Sequence, residues 1–133
     1  LHAGSNGAKL TGGAGNDLFV LRAANKEANT YSSITDFQAG DLLQLTGATK
    51  FSKLEAALNE NTAVFSNFVD AAMLQASTNQ AVWFSFKGNG YVVVDQVATN
   101  GTAFVNGEDS VIELVGVDLS NASFNSQFNT VSL

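Results

Sequence analysis

The chain has 133 residues, 45% of them apolar and 14% charged, with a formal net charge of −6 and neither Cys nor Pro. That length and apolar content suit one domain with its own core and exclude a wholly disordered chain. The lack of Cys excludes disulfides, zinc–thiolate sites and thiol nucleophiles. The acidic balance opposes binding to nucleic acid or anionic lipid and suits hard cations that take oxygen ligands.

Residues 1–17 are rich in Gly, Ala, Asn and Ser, a loop composition with a trace of repetition. At a period of nine, "AGSNGAKLT" (3–11) falls on "GGAGNDLFV" (12–20), placing Gly4 over Gly13, Leu10 over Phe19 and Ala8 over Asp17. Nine-residue periods belong to β-solenoids. The chain begins with Leu, which leads us to expect a piece of a longer protein.

Short strands are expected at 18–22, 33–37 and 42–45. Ser52 with Glu55 forms a capping-box pattern ahead of "LEAAL", predicting a helix there. Val64, Phe65, Phe68, Val69, Ala72, Met73 and Ala76 follow helical spacing and predict a core-facing helix. "VWFSF", "KGNG" and "YVVVDQ" read as a hairpin buried on both faces, with Gly88 and Gly90 supplying the turn. "ATNGTAFVNGEDS" (98–110) holds two Asn-Gly turn signals, and "VIELVGV" is a further strand. The last fifteen residues are polar with Phe124 and Phe128 interspersed, and predict a loose tail ending on an unengaged Val131-Ser132-Leu133. No apolar run approaches the roughly 20 residues of a membrane-spanning helix.

Gly12, Gly13, Gly15 and Asp17 form the densest cluster of chemically suggestive residues. A phosphate loop would continue with Lys and Ser/Thr; here Asn16 and Asp17 follow, and a carboxylate repels phosphate. Oxygen coordination of a metal fits better. Glycines expose backbone carbonyls, Asp17 adds charge, and Ca²⁺ takes six to eight oxygens. A second turn must then contribute. At two nonapeptides per coil it lies about eighteen residues on. "DFQAGD" (36–41), with Asp36, Gly40 and Asp41, is the nearest match. The competing reading is a plain Gly-rich turn with a solvated Asp.

"GGAGNDLFV" resembles the glycine- and aspartate-rich nonapeptide GGxGxDxUx of RTX calcium-binding repeats, with Phe19 as the large apolar residue. Residues 12–47 resemble the region that follows the repeats in serralysin-type and other type I-secreted proteins. Ile34, Asp36, Phe37, Gly40 and Asp41 fit its I-x-D-F-x-x-G-D pattern. Residues 88–124 are similar to the C-terminal modules of RTX-bearing S-layer and large surface proteins. The resemblance implies a Ca²⁺-stabilised module exported C-terminus first through a type I ABC secretion apparatus, with an uncleaved signal in the last tens of residues. It implies a secreted or cell-surface location, folding driven by extracellular calcium, and a second metal site at Asp95 and Asp109. The plain reading of those two residues is a pair of turn or strand-end caps.

Catalysis has little to rest on. The serralysin H-E-x-x-H helix is absent, and the single His is His2, so no Ser-His-Asp triad or His-based zinc site can be built. Carboxylate pairs remain, Asp36 with Asp41 or Asp95 with Asp109. A third reading is a surface module that forms a lattice with copies of itself or binds carbohydrate through Tyr31, Trp83 or Tyr91.

The sequence thus predicts one mostly β module over 1–133. A β-roll remnant with its following strands (1–47) leads through a helical insert (48–80), with one or two helices in all, into a β-sandwich-like hairpin region and polar tail (81–133). The expected function is non-catalytic calcium binding in secretion and folding, without nucleic-acid binding or membrane insertion.

Overall fold

The structure is a computed structural model that describes residues 2–3, 7–21, 31–95, 104 and 109–133. It is mostly β. Five short strands come first: β1 (His2–Ala3), β2 (Lys9–Leu10), β3 (Leu18–Leu21), β4 (Ser32–Ile34) and β5 (Leu42–Leu45). Then follow β6 (Lys50–Lys53), helix α1 (Phe65–Gln75), β7 (Gln80–Phe86), β8 (Asn89–Val94), β9 (Ser110–Leu114), β10 (Ser123–Asn125) and β11 (Thr130–Ser132).

The strands form two sheets, ordered β1-β3-β5-β11-β10 and β2-β4-β9-β8-β7-β6. The first five strands alternate between them, and β1, β2 and β3 each pair in parallel with the strand two places on. His2 faces Val20, an offset of 18, or two nonapeptides. Lys9 faces Ser33 and Leu18 faces Leu42, both offsets of 24. The six additional residues therefore fall between β3 and β4.

The two sheets share one core. Phe19, Leu21, Leu43, Leu45 and Val131 of the first sheet meet Ile34, Trp83, Val92, Ile112 and Leu114 of the second. The second sheet carries a further layer on its other face, where Phe68, Val69, Ala72 and Met73 of α1 pack on Val82, Phe84, Tyr91, Val93 and Val111. Strands β7 and β8 are thus covered on both sides, which explains their near-continuous apolar sequence.

The expected hairpin forms, with its turn placed differently. Lys87 (φ 50°) and Gly88 (φ 85°) hold the two left-handed positions, the pattern of a type I′ turn. Gly90 lies inside β8, opposite Ser85. A Cβ there would come within 2.8 Å of the Val117 carbonyl, so its glycine serves close packing.

Two expectations fail outright. Ser52 and Glu55 do not cap a helix: Lys50–Lys53 is β6, paired in parallel with β7, and α1 is the single helix among the described residues. A capping box is a weak local signal, and a helix begun there would forfeit the Lys50–Gln80 to Lys53–Trp83 ladder and the burial of Leu54. Val64 likewise belongs to the cap of α1 rather than its buried face: it is 62% exposed, and its amide donates to Asn67 Oδ1.

The unengaged C-terminal tail is the second correction. β11 lies inside the first sheet between β5 and β10, with Val131 pairing Leu43 and fully buried. The alternation of polar and apolar residues at 130–132 places Val131 inward, and the sheet supplies the backbone partners. The two Asn-Gly turn signals at 100–101 and 106–107 lie outside the described residues.

Candidate metal centre

The alternating strands bring turn 12–17 beside turn 36–41. Gly13 (φ 89°) and Gly15 (φ 105°) take left-handed conformations in the first turn, as Gly40 (φ 102°) does in the second. These let the chain reverse between sheets within a few residues.

The carboxylates act as clips between turns. Asp36 accepts the amide hydrogens of Gly12 (2.9 Å) and Gly13 (2.8 Å). Those bonds, led by the one from Gly12, hold its carboxyl below the usual carboxylate range. Asp41 is 1% exposed and accepts from the Asp17 amide on Oδ1 (2.9 Å) and the Gln38 amide on Oδ2 (3.0 Å). The Asp17 carbonyl in turn accepts from the Leu42 amide (2.8 Å).

Asp17 itself is used differently. Its side chain folds against Gly12, where a Cβ would stand 2.5 Å from Asp17 Oδ2. That oxygen is buried and finds no hydrogen-bond partner among the described residues. Buried carboxylate oxygens rarely stay unsatisfied, and a hard cation is one species that satisfies them. A charged carboxylate oxygen of this kind suits Ca²⁺ in chemistry. Among the described residues, no three Asp, Glu or His side chains gather into one group. Asp17, Asp36 and Asp41 therefore do not converge: two of the three are committed to amide hydrogens.

The partner turn lies 24 residues away, against the expected eighteen or so, because of the six residues added between β3 and β4. The register differs as well. Gly12 is matched with Asp36 and Asp17 with Asp41, rather than Asp17 with Asp36.

Further clips share this offset and escaped the sequence reading. Thr11 Oγ1 lies 2.6 Å from Thr35 Oγ1, and the Ala8 amide donates to Ser32 Oγ (3.1 Å). The Asn16 side chain occupies the space that a Cβ on Gly40 would need. The signal that would have found them is Thr-x₅-Asp-Leu, present at 11–18 and again at 35–42.

Asp95 and Asp109 lie one residue beyond the last β8–β9 pair, Val94 with Ser110, at the same end of the second sheet. They are 2% and 1% exposed, and neither is without a partner. The Asp95 carbonyl accepts from the Asn79 amide (2.7 Å), as a strand-end cap does.

No protein-family model matches this chain, and no curated protein matches it.

Proposed function

We propose that this chain is a non-catalytic calcium-binding module that folds on meeting extracellular Ca²⁺. In this reading it is the terminal part of a β-roll in a protein exported through a type I ABC apparatus, of S-layer or other surface type. One observation carries the proposal: turn 12–17 stacks on a second turn of the same build and buries Asp17 Oδ2 without a hydrogen-bond partner among the described residues. Gly12, Gly13 and Gly15 supply carbonyls and Asp17 the charge, while Asp36, Gly40 and Asp41 shape the neighbouring turn. A bound ion neutralises Asp17 and ties the first coil to the second, so stability rises with calcium by mass action, about 2.7 kcal/mol at a hundredfold excess over Kd.

The engagement of β11 sets a condition on the export reading. A signal in the last tens of residues is accessible only while the first sheet is open. Low calcium keeps the coils loose and the segment extended; high calcium closes the sheet after passage.

The deciding experiment is thermal melting followed by near-UV circular dichroism, in calcium and in EDTA, on the wild type and Asp17→Ala. The reading expects calcium to raise Tm in the wild type and to leave Asp17→Ala nearly unchanged. Identical melting of the wild type in calcium and EDTA would refute it.

A further inference from the structure

A solvent-open cleft of about 400 Å³ lies at the β6 edge of the second sheet, the edge away from β2, bounded by β6, β7, the 54–58 segment and the 118–120 segment. Its size falls in the low part of the roughly 300–1,000 Å³ range of small-ligand sites. Leu54 and Phe68 of the helix-side layer give it an apolar lining, Trp83 lines it from the neighbouring strand β7, and all three are buried. Lys53, Ser85, Asp118 and Ser120 stand around the opening.

The rim combines complementary functions. Lys53 only donates hydrogen bonds, an ionised Asp118 only accepts, and the two serine hydroxyls do both. Lys53 Nζ stands 5.5 Å from the centre of the Trp83 ring. Register places it there, since Lys53 of β6 pairs directly with Trp83 of β7. Asp118 is held ionised by the amide and then the hydroxyl of Ser120, with a smaller contribution from the Lys53 charge. One positive and one negative group share the opening, so the cleft selects neither anions nor cations by net charge.

We propose that this cleft binds a neutral saccharide, a mono- or disaccharide unit of a surface glycan, with its C–H face on the apolar lining of Leu54 and Phe68 and adjacent hydroxyls bridging Lys53 and Asp118. A pyranose has this combination: an apolar face, and a ring of hydroxyls that each donate and accept. The site is independent of the glycine turns, so it stands or falls separately from the calcium reading.

Trp83 is the only tryptophan in the chain, which makes its emission a single-site reporter. The test is a fluorescence titration with the methyl glycosides of glucose, galactose, mannose and N-acetylglucosamine, with glucuronate and tetramethylammonium as charged controls. The expected result is a saturating change with at least one neutral glycoside at a Kd on the order of millimolar, weakened at least tenfold in both Asp118→Asn and Lys53→Met. Circular dichroism confirms that each variant folds, and if Asp118→Asn does not, Lys53→Met alone decides. The proposal is overturned if no neutral glycoside saturates up to about 100 mM. It is equally overturned if a folded variant binds like the wild type, or if a charged control binds more tightly than every neutral glycoside.

Discussion

The carboxylate of Asp36 spans the amide hydrogens of Gly12 and Gly13, closing two orphan donors of the preceding coil with one side chain. The two amides favour the ionised form, so the folded chain holds Asp36 below its ordinary titration range.

The sign of the pH dependence follows from that lowering. A depressed carboxyl stabilises the fold above its unfolded-state pKa, about 3.9, and loses that contribution as pH falls through the lower folded value. Asp36→Asn should therefore melt below the wild type at neutral pH. The gap should hold down to about pH 5 and narrow in more acid solution. Melting curves of both proteins across the acid range check this, and a gap independent of pH would count against the clip.

Gly12 and Asp17 should be coupled. Gly12→Ala places a methyl group within 2.5 Å of Asp17 Oδ2 and 2.9 Å of its Cβ. The expected cost is about 1–3 kcal/mol from forced displacement. In an Asp17→Gly background the same substitution should cost much less, since nothing then fills the space. A double-mutant cycle by urea denaturation reads the difference, and additivity would show that the two residues do not meet.

Truncation after Asn129 removes β11 and exposes both Leu43 on β5 and the inner edge of β10. The shortened chain should lose cooperative melting rather than remain folded without its last strand. Val131→Asp should do the same by placing an unpaired charge in the core, at a cost of several kcal/mol. A sharp unfolding transition in the truncated chain would contradict the sheet order.

The hairpin turn offers a stabilising change. Lys87 occupies a left-handed position that costs an ordinary residue about 1 kcal/mol and that Asn tolerates better. Lys87→Asn gives up the Lys87–Phe86 contact, worth about 0.5 kcal/mol at an exposed site. The balance predicts a rise in Tm of about 2 °C. Asn-Gly is also the preferred type I′ pair.

Much of the β framework was legible because its signals are local. The expectation for 42–45 coincides with β5, and the run at 18–22 holds β3, with Arg22 outside the described residues, since each is a short apolar burst beside a glycine turn. The α1 stripe was readable because Phe68, Val69, Ala72 and Met73 all turn to one side. What failed depends on distant partners. Lys50–Lys53 is polar and strand-like only because β7 lies beside it, and β11 is ordered by β5, 86 residues earlier. The pairing of turn 12–17 with turn 36–41 was found through its composition, while its register was not. A nonapeptide rule has no means of counting the six residues added between β3 and β4. Asp17 stood out in the sequence, yet the amide-binding roles of Asp36 and Asp41 become visible only when the turns are stacked.

The position of β11 also bears on the order of events at the ribosome. Thr130 must find Gln44, so the middle of the first sheet stays open until 86 further residues have been synthesised. The β7–β8 hairpin and α1 can assemble on the nascent chain well before that. Both β-layers hold a late, long-range closure, Ser32 with Ile112 in the helix-backed sheet and Thr130 with Gln44 in the other, whereas the β7–β8 hairpin gathers from neighbouring segments. Until then Leu43 and Leu45 lack their cover, and a chaperone that holds apolar strands has its longest opportunity there.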